Sequence, residues 1–230
     1  MFERLLSKEL QRRRALAKAA PGIMQDYLTT PLPNKDGIYT DADIVALDLE
    51  TTGLDPQQDN ILSYGLVHLR DRSIHLETAR HQVIQVQEQI PEASAVIHQI
   101  TDDRAAEGKP LDLVLPEILE QLAGRVMLVH FAGIEQGFLD SACRRLYGAP
   151  FVIRTIDTLI LARRLFELRN HTIQANNLRL FNLRPLYNLP QYKAHNALSD
   201  ALATAELFLA MAAEMYPEPQ ACTLGRFLTD

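Results

Sequence analysis

The sequence predicts an α/β fold, a sheet covered by helices, on three observations. Strand-like apolar segments come first, and strand-like and helix-like segments then alternate, the order that builds a sheet with helices on its faces. The clearest strand, Ile44–Leu49, is apolar until it delivers Asp48 and Glu50, then stops at Thr51-Thr52-Gly53. The last long segment, Ala201–Met215, is rich in Ala and Leu, both strong helix formers.

Taken in order, residues 2–19 have helical spacing, with Phe2, Leu5, Leu6 and Leu10 on one face. Arg12, Arg13, Arg14 and Lys18 lie in its C-terminal half, where cations suit the helix dipole, and Pro21-Gly22 stops it. A short helix follows over Ile23–Leu28, and Pro31 to Gly37 reads as a linker. The basic helix is read as a packing element with a solvated face in preference to a nucleic-acid arm. Beyond Asp41, Ile44–Leu49 is the first strand and Ile61–Leu69 the second. Asp71-Arg72-Ser73 is a hairpin turn into a third strand over Ser73–Thr78, which Val83–Gln87 can extend. Pro91 ends that region, and Thr101 can cap a helical turn through Asp102 and Asp103. Leu113–Leu122 has helical spacing, ended by Gly124; Arg125–His130 is a short buried strand. A helix then carries Glu135, Phe138, Leu139 and Cys143. Ile153–Leu168 is a helix or a strand running into one, residues 170–193 are irregular, and Pro217 and Pro219 end the final helix.

The composition, 47% hydrophobic and 23% charged over 230 residues, is that of a soluble globular protein able to bury a sizeable core. No apolar run is long enough to span a bilayer, and Cys143 and Cys222 imply no disulfide framework, so a cytoplasmic setting is expected. The net charge of −6 is uneven: residues 144–193 hold nine Lys/Arg against two acids. A protein acidic overall is a poor non-specific clamp on duplex DNA but can hold a short polyanion in a locally basic groove. Within that stretch Arg154, Arg163, Arg164, Arg169, Arg179 and Arg184 alternate with Phe166, Phe181, Tyr187 and Tyr192. That mix suits a single strand, with phosphates on Arg and bases on rings, and equally suits helices with solvated charges and buried aromatics.

Asp48 and Glu50, two residues apart on a strand, share one face. Like charges at the end of an apolar strand must be paired or hold a metal. The triplet alone is a weak signal, since about one is expected by chance in a chain of this size. Two further acids strengthen it. Asp200 opens the last helix five residues after His195, and Glu135 opens the helix after strand 125–130. A strand end and two helix starts can converge, as sites in open α/β sheets do.

On these residues the chain resembles the DEDDh exonucleases, the family that includes the proofreading epsilon subunit of bacterial DNA polymerase III. The first motif is Asp48-Leu49-Glu50-Thr51-Thr52-Gly53. The third is His195 followed by Asp200, with Ala201, Thr204 and Ala205 in register. Ile97-His98-Gln99-Ile100-Thr101 and Ile156-Asp157-Thr158-Leu159 also match family segments. The second motif departs: His130-Phe131-Ala132-Gly133-Ile134-Glu135 has Phe for the usual Asn and Glu for the usual Asp. The resemblance implies a ribonuclease H-like fold with a mixed central sheet. It implies an exonuclease domain over 41–216, between a helical extension and linker over 1–40 and a tail over 217–230. It further implies two divalent ions, Mg²⁺ or Mn²⁺, on Asp48, Glu50, Glu135 and Asp200, with His195 as general base. Nucleoside monophosphates would leave the 3′ end of single-stranded DNA or RNA. Thr51, Thr52, Leu54, His98 and Phe138 would touch the terminal nucleotide, and Asp157 would hold a ligand in place. A polymerase or other protein partner is possible, through the N-terminal helix. The altered second motif motivates an alternative, a catalytically weakened module that binds nucleic acid.

Overall fold

The computed structural model describes residues 7–170 and 174–229. Strand β1 (Ile44–Thr51) lies at the centre of a five-stranded sheet in the order β3-β2-β1-β4-β5. It pairs antiparallel with β2 (Ile61–Arg70), which pairs antiparallel with β3 (Ser73–Val83). On its other side, β1 runs parallel to β4 (Val126–Val129), which runs parallel to β5 (Arg154–Asp157). The expected mixed sheet is present. The β2–β3 turn uses Asp71 and Arg72, both at positive φ, as a two-residue hairpin with the right twist requires.

Alternation along β1 sorts the layers. Val45, Leu47 and Leu49 face a core built with α1 (Lys8–Leu16), α2 (Ile23–Thr29), α5 (Leu111–Leu122) and α6 (Gly133–Tyr147). Ile44 and Ala46 face the opposite core, built with α7 (Thr158–Leu168) and α9 (Ala197–Met215). Asp48 and Glu50 continue this second row and therefore look toward α9. Two short helices, α3 (Glu92–His98) and α4 (Asp102–Ala106), bridge from β3 to α5, and α8 (Leu180–Leu183) lies between α7 and α9.

Several expectations are corrected. The third strand runs on to Val83, and α3 is an additional helix, entered through Pro91. Of the two forms expected for segment 153–168, the structure has the strand running into a helix: β5 ends at Asp157, whose carboxylate accepts from the Leu159 amide and so starts α7. Phe2, Leu5 and Leu6 lie outside the described residues. The flanking segments are not appendages. Ala15, Met24, Tyr27 and Leu28 belong to the first core, and Tyr27 donates a 2.9 Å hydrogen bond to the Val152 carbonyl. Leu224 and Phe227 are buried in the second core, and the Thr229 amide donates to the Thr155 carbonyl at 2.9 Å. The boundaries expected at 40 and 217 therefore do not divide the packing. Apolar side chains on both segments find their burial on the same sheet.

Part of the basic stretch is structural. Arg184 is fully buried, pairs with Glu206 at 2.6 Å, donates to the carbonyls of Pro190 and Ala203, and lies over the Tyr192 ring. Arg163 pairs with Glu167, Arg169 with Glu214, and Arg154 donates to the Pro33 carbonyl. Phe166 is in the core, with Phe181, Tyr187 and Tyr192 packed against it.

Candidate active site

Three of the expected acids meet. Asp48, Glu50 and Asp200 each offer a carboxylate oxygen, and these oxygens lie within 4.8 Å of one another. The backbone explains the approach of Asp200. Asp48 pairs with Gly65 on β2, and the first residues of α9 sit directly on that glycine. A Cβ there would lie 2.1 Å from the Leu198 amide nitrogen and 2.3 Å from the Ala197 carbonyl carbon. Only a residue without a side chain lets the helix start this close to the sheet. Asn196 caps the helix by accepting from the Ser199 amide, and the His195 amide donates to Asp200 Oδ2 at 3.0 Å. That clamp holds one oxygen of Asp200 and leaves the other.

The fourth acid, Glu135, sits in the first turn of α6, 3% exposed. It lies outside the Asp48-Glu50-Asp200 group, because α6 belongs to the opposite layer. Asp157 fixes the turn that presents it, accepting from the amides of Phe131 at 3.0 Å and Ala132 at 2.8 Å. Those bonds hold Phe131 at φ +80°, a conformation rare for a side chain of this size. His130 begins the turn as a structural residue. Thr158 Oγ1 donates to the Val129 carbonyl, so it accepts from His130 Nδ1 at 2.8 Å, and burial lowers the His130 pKa to about 4.

The electrostatics are those of crowded, desolvated carboxylates. Burial, then the charges of Glu135, Glu50 and Asp200, push Asp48 well above the usual range. Burial raises Glu135 to about 8, reinforced by Asp157 and Glu50. Burial also raises Asp200 to about 7, against the lowering effect of the His195 amide. Glu50 Oε1, Glu135 Oε2 and Asp200 Oδ1 are buried without a hydrogen-bond partner among the described residues. Buried carboxylate oxygens left bare are costly. An all-oxygen set of this kind fits hard divalent cations such as Mg²⁺ or Mn²⁺.

Two histidines border the acids. His195 is exposed, at φ +67°, on the loop before α9. His98, at the end of α3, rests Nδ1 against Glu50 Oε2, and its ring stands edge-on to that of His195, centroids 5.8 Å apart. Leu54 is 79% exposed beyond the Thr-Thr-Gly turn. The other expected substrate contacts need revision. Phe138 is buried in the first core, because its position on α6 faces the sheet, and offers almost no surface to a ligand. The hydroxyls of Thr51 and Thr52 are donated within the loop, to the Gly53 carbonyl and to Asp59 Oδ1. Residues that sequence reasoning passed over complete the loop. Asp59 accepts from the Asp55 amide at 2.8 Å and fills the space beside Gly53, while Ser94 donates to the Thr51 carbonyl at 2.9 Å. A Gly in mid-strand signals close backbone approach, so Gly65 was findable; Asp59 and Ser94 carried no signal.

The profile of the RNase T exonuclease family matches residues 45–208. The PolC-type DNA polymerase III of Thermotoga petrophila is 33% identical over 174 residues, 76% of this chain but 12% of that protein. The Staphylococcus aureus protein of the same type is 29% identical over 194 residues, 84% of this chain and 13% of that one. The chain thus spans only a small part of these relatives. Among solved structures, zinc-bound Escherichia coli exonuclease I with single-stranded DNA superposes with a TM-score of 0.67 at 17% identity, covering 78% of this chain and 42% of that one. The nuclease domain of 3′hExo, a DEDDh family member bound to rAMP, gives 0.64 at 16% identity, covering 81% and 98%. These two share the fold. With the profile matching across β1 and most of α9, the two elements that bring Asp48, Glu50 and Asp200 together, the chain belongs to the RNase T exonuclease family.

Proposed function

We propose that the chain hydrolyses single-stranded DNA or RNA from the 3′ end, releasing nucleoside monophosphates, with Mg²⁺ or Mn²⁺ held by Asp48, Glu50, Asp200 and Glu135. The observation that carries this reading is the set of bare, buried oxygens on Glu50, Glu135 and Asp200 beside an exposed imidazole. Bound divalent cations supply positive charge for the attacking and leaving oxygens of a phosphodiester. His195 accepts the proton of the attacking water on a ring nitrogen; it is exposed to solvent, and imidazole is the side chain most often used as a general base. The His195 amide keeps Asp200 aimed at the acids. His98 holds Glu50 from the α3 side and presents its remaining edge to substrate. Leu54, with the backbone of Thr51 and Thr52, meets the terminal nucleotide. The polymerase relatives support a polymerase as protein partner, and two free, buried cysteines suit a reducing cytoplasm.

The test uses purified full chain and 5′-labelled single strands of matched DNA and RNA. A ladder of shortened strands that needs Mn²⁺ or Mg²⁺ is expected. Strands left intact in every metal, yet retained by the protein on a filter, would replace the enzyme by the weakened binding module. Glu135 outside the tight acid group and the exposed Phe131 are the observations that favour that second reading.

A further inference from the structure

Glu50 belongs to two groups at once. Besides the acids, it stands with His98 and His195, one ligand atom of each lying within 4.8 Å of the others. Glu50 itself is 4% exposed, with Oε1 unpartnered. His98 lies against its other oxygen, and the His195 ring is edge-on to His98. We propose that Glu50, His98 and His195 form a second site, overlapping the acid group at Glu50, for a borderline transition metal of the Zn²⁺ class, whose occupation excludes catalysis.

The donor chemistry separates this site from the acids. Two imidazole nitrogens and one carboxylate are a set that Zn²⁺ binds with a fourth position open. Mg²⁺ takes oxygen ligands and does not recruit imidazoles, whereas imidazole affinity rises along the first-row series toward Cu²⁺ and Zn²⁺. The two groups share Glu50 and cannot both be satisfied by it. A metal on His195 also occupies the nitrogen lone pair that would take a proton from water. Zinc bound here removes both a carboxylate from the acid set and the base from the reaction. His98 already rests against Glu50 from a helix end, and His195 stands on an exposed loop, so a small adjustment of His195 completes the set. The inhibitory consequence rests on the exonuclease reading; the site itself does not.

The experiment measures metal binding to the full chain in excess Mg²⁺, by competition with a chromophoric zinc chelator and by the visible spectrum of bound Co²⁺. One Zn²⁺ per chain is expected to bind despite the Mg²⁺, with a Co²⁺ spectrum of low, nitrogen-containing coordination. His195→Ala and His98→Gln should each weaken Zn²⁺ by at least about tenfold, the loss that even an outer partner of a ligand can cause. Asp48→Ala should retain Zn²⁺, because it leaves all three donors in place. Circular dichroism of His98→Gln guards against misfolding, and the exposed His195 gives a second variant that does not disturb packing. Zn²⁺ that survives both histidine variants but is lost in Asp48→Ala would mean that it merely enters the acid group, and the proposal falls. Failure to bind Zn²⁺ in excess Mg²⁺ also overturns it. A wild-type chain that binds Zn²⁺ through both histidines but never shortens a strand would retain this site while the exonuclease reading failed.

Discussion

Asp48 is half-buried with three carboxylates around it. Asp48→Ala is therefore expected to abolish hydrolysis while raising the melting temperature of the metal-free protein, by the equivalent of about 1 kcal/mol. A lower melting temperature than wild type would mean that the carboxylate supports the fold. Glu135→Asp restores the family's usual length at the one expected acid outside the Asp48-Glu50-Asp200 group. Its rate should be unchanged or higher in the labelled-strand assay, and a collapse of rate would show that the site is built around the longer side chain. His130 gives a pH signature. Its folded pKa, about 4, lies below the unfolded value near 6.5, so between those pH values the unfolded chain binds more protons. Its contribution is fully present above pH 6.5 and is lost as pH falls toward 4. Buried Glu135 and Asp200, raised to about 8 and about 7, act in the opposite sense over part of that range, so the comparison must be with a variant. His130→Gln should flatten the acid side of the stability curve by on the order of 3 kcal/mol, measured by urea unfolding from pH 7 to 4. An unchanged slope would mean that His130 is protonated in the fold.

At the level of elements, the site depends on how closely α9 approaches β2. Gly65→Ala puts a methyl against the Leu198 and Ala197 backbone, which cannot rotate away as a side chain would. A cost of about 1–3 kcal/mol is expected from the overpacking alone. Because Asp200 rides on the displaced turn, activity should fall more than stability does. Unfolding curves and strand shortening measured on the same preparation check this, and full activity in a destabilised variant would uncouple α9 from the acids. The irregular segment before α9 is tied down from inside. Arg184 reaches across to Glu206 and the Ala203 carbonyl of that helix, which is why its charge is unavailable to a nucleic acid.

For the molecule as a whole, the flanking segments complete the two cores. Removing residues 1–38 strips Ala15, Met24, Tyr27 and Leu28 from the face opposite the acids. The truncated chain should melt well below the full one, and hydrolysis at physiological temperature should fall with it. A truncation that kept both its melting temperature and its rate would restore the helix as a detachable docking element. The four candidate acids sit on elements of both layers: Asp48 and Glu50 on β1 and Asp200 on α9, Glu135 on α6. On the proposed reading, catalysis needs the layers held at a fixed spacing, which the sheet between them provides.

What could be read without coordinates was local. The apolar run into Asp48 and Glu50, the helix signal of Ala201–Met215, the His195–Asp200 spacing and the substituted second motif all lie within short windows where periodicity and residue chemistry speak directly. Tertiary packing decided everything that joins distant windows. It buried Phe138, spent the Thr51 and Thr52 hydroxyls on a loop organised by Asp59, turned Arg184 inward and drew residues 15–28 and 224–227 into the cores. A side chain's partners are set by which elements pack against it, and packing is a property of the whole chain that no window of sequence contains.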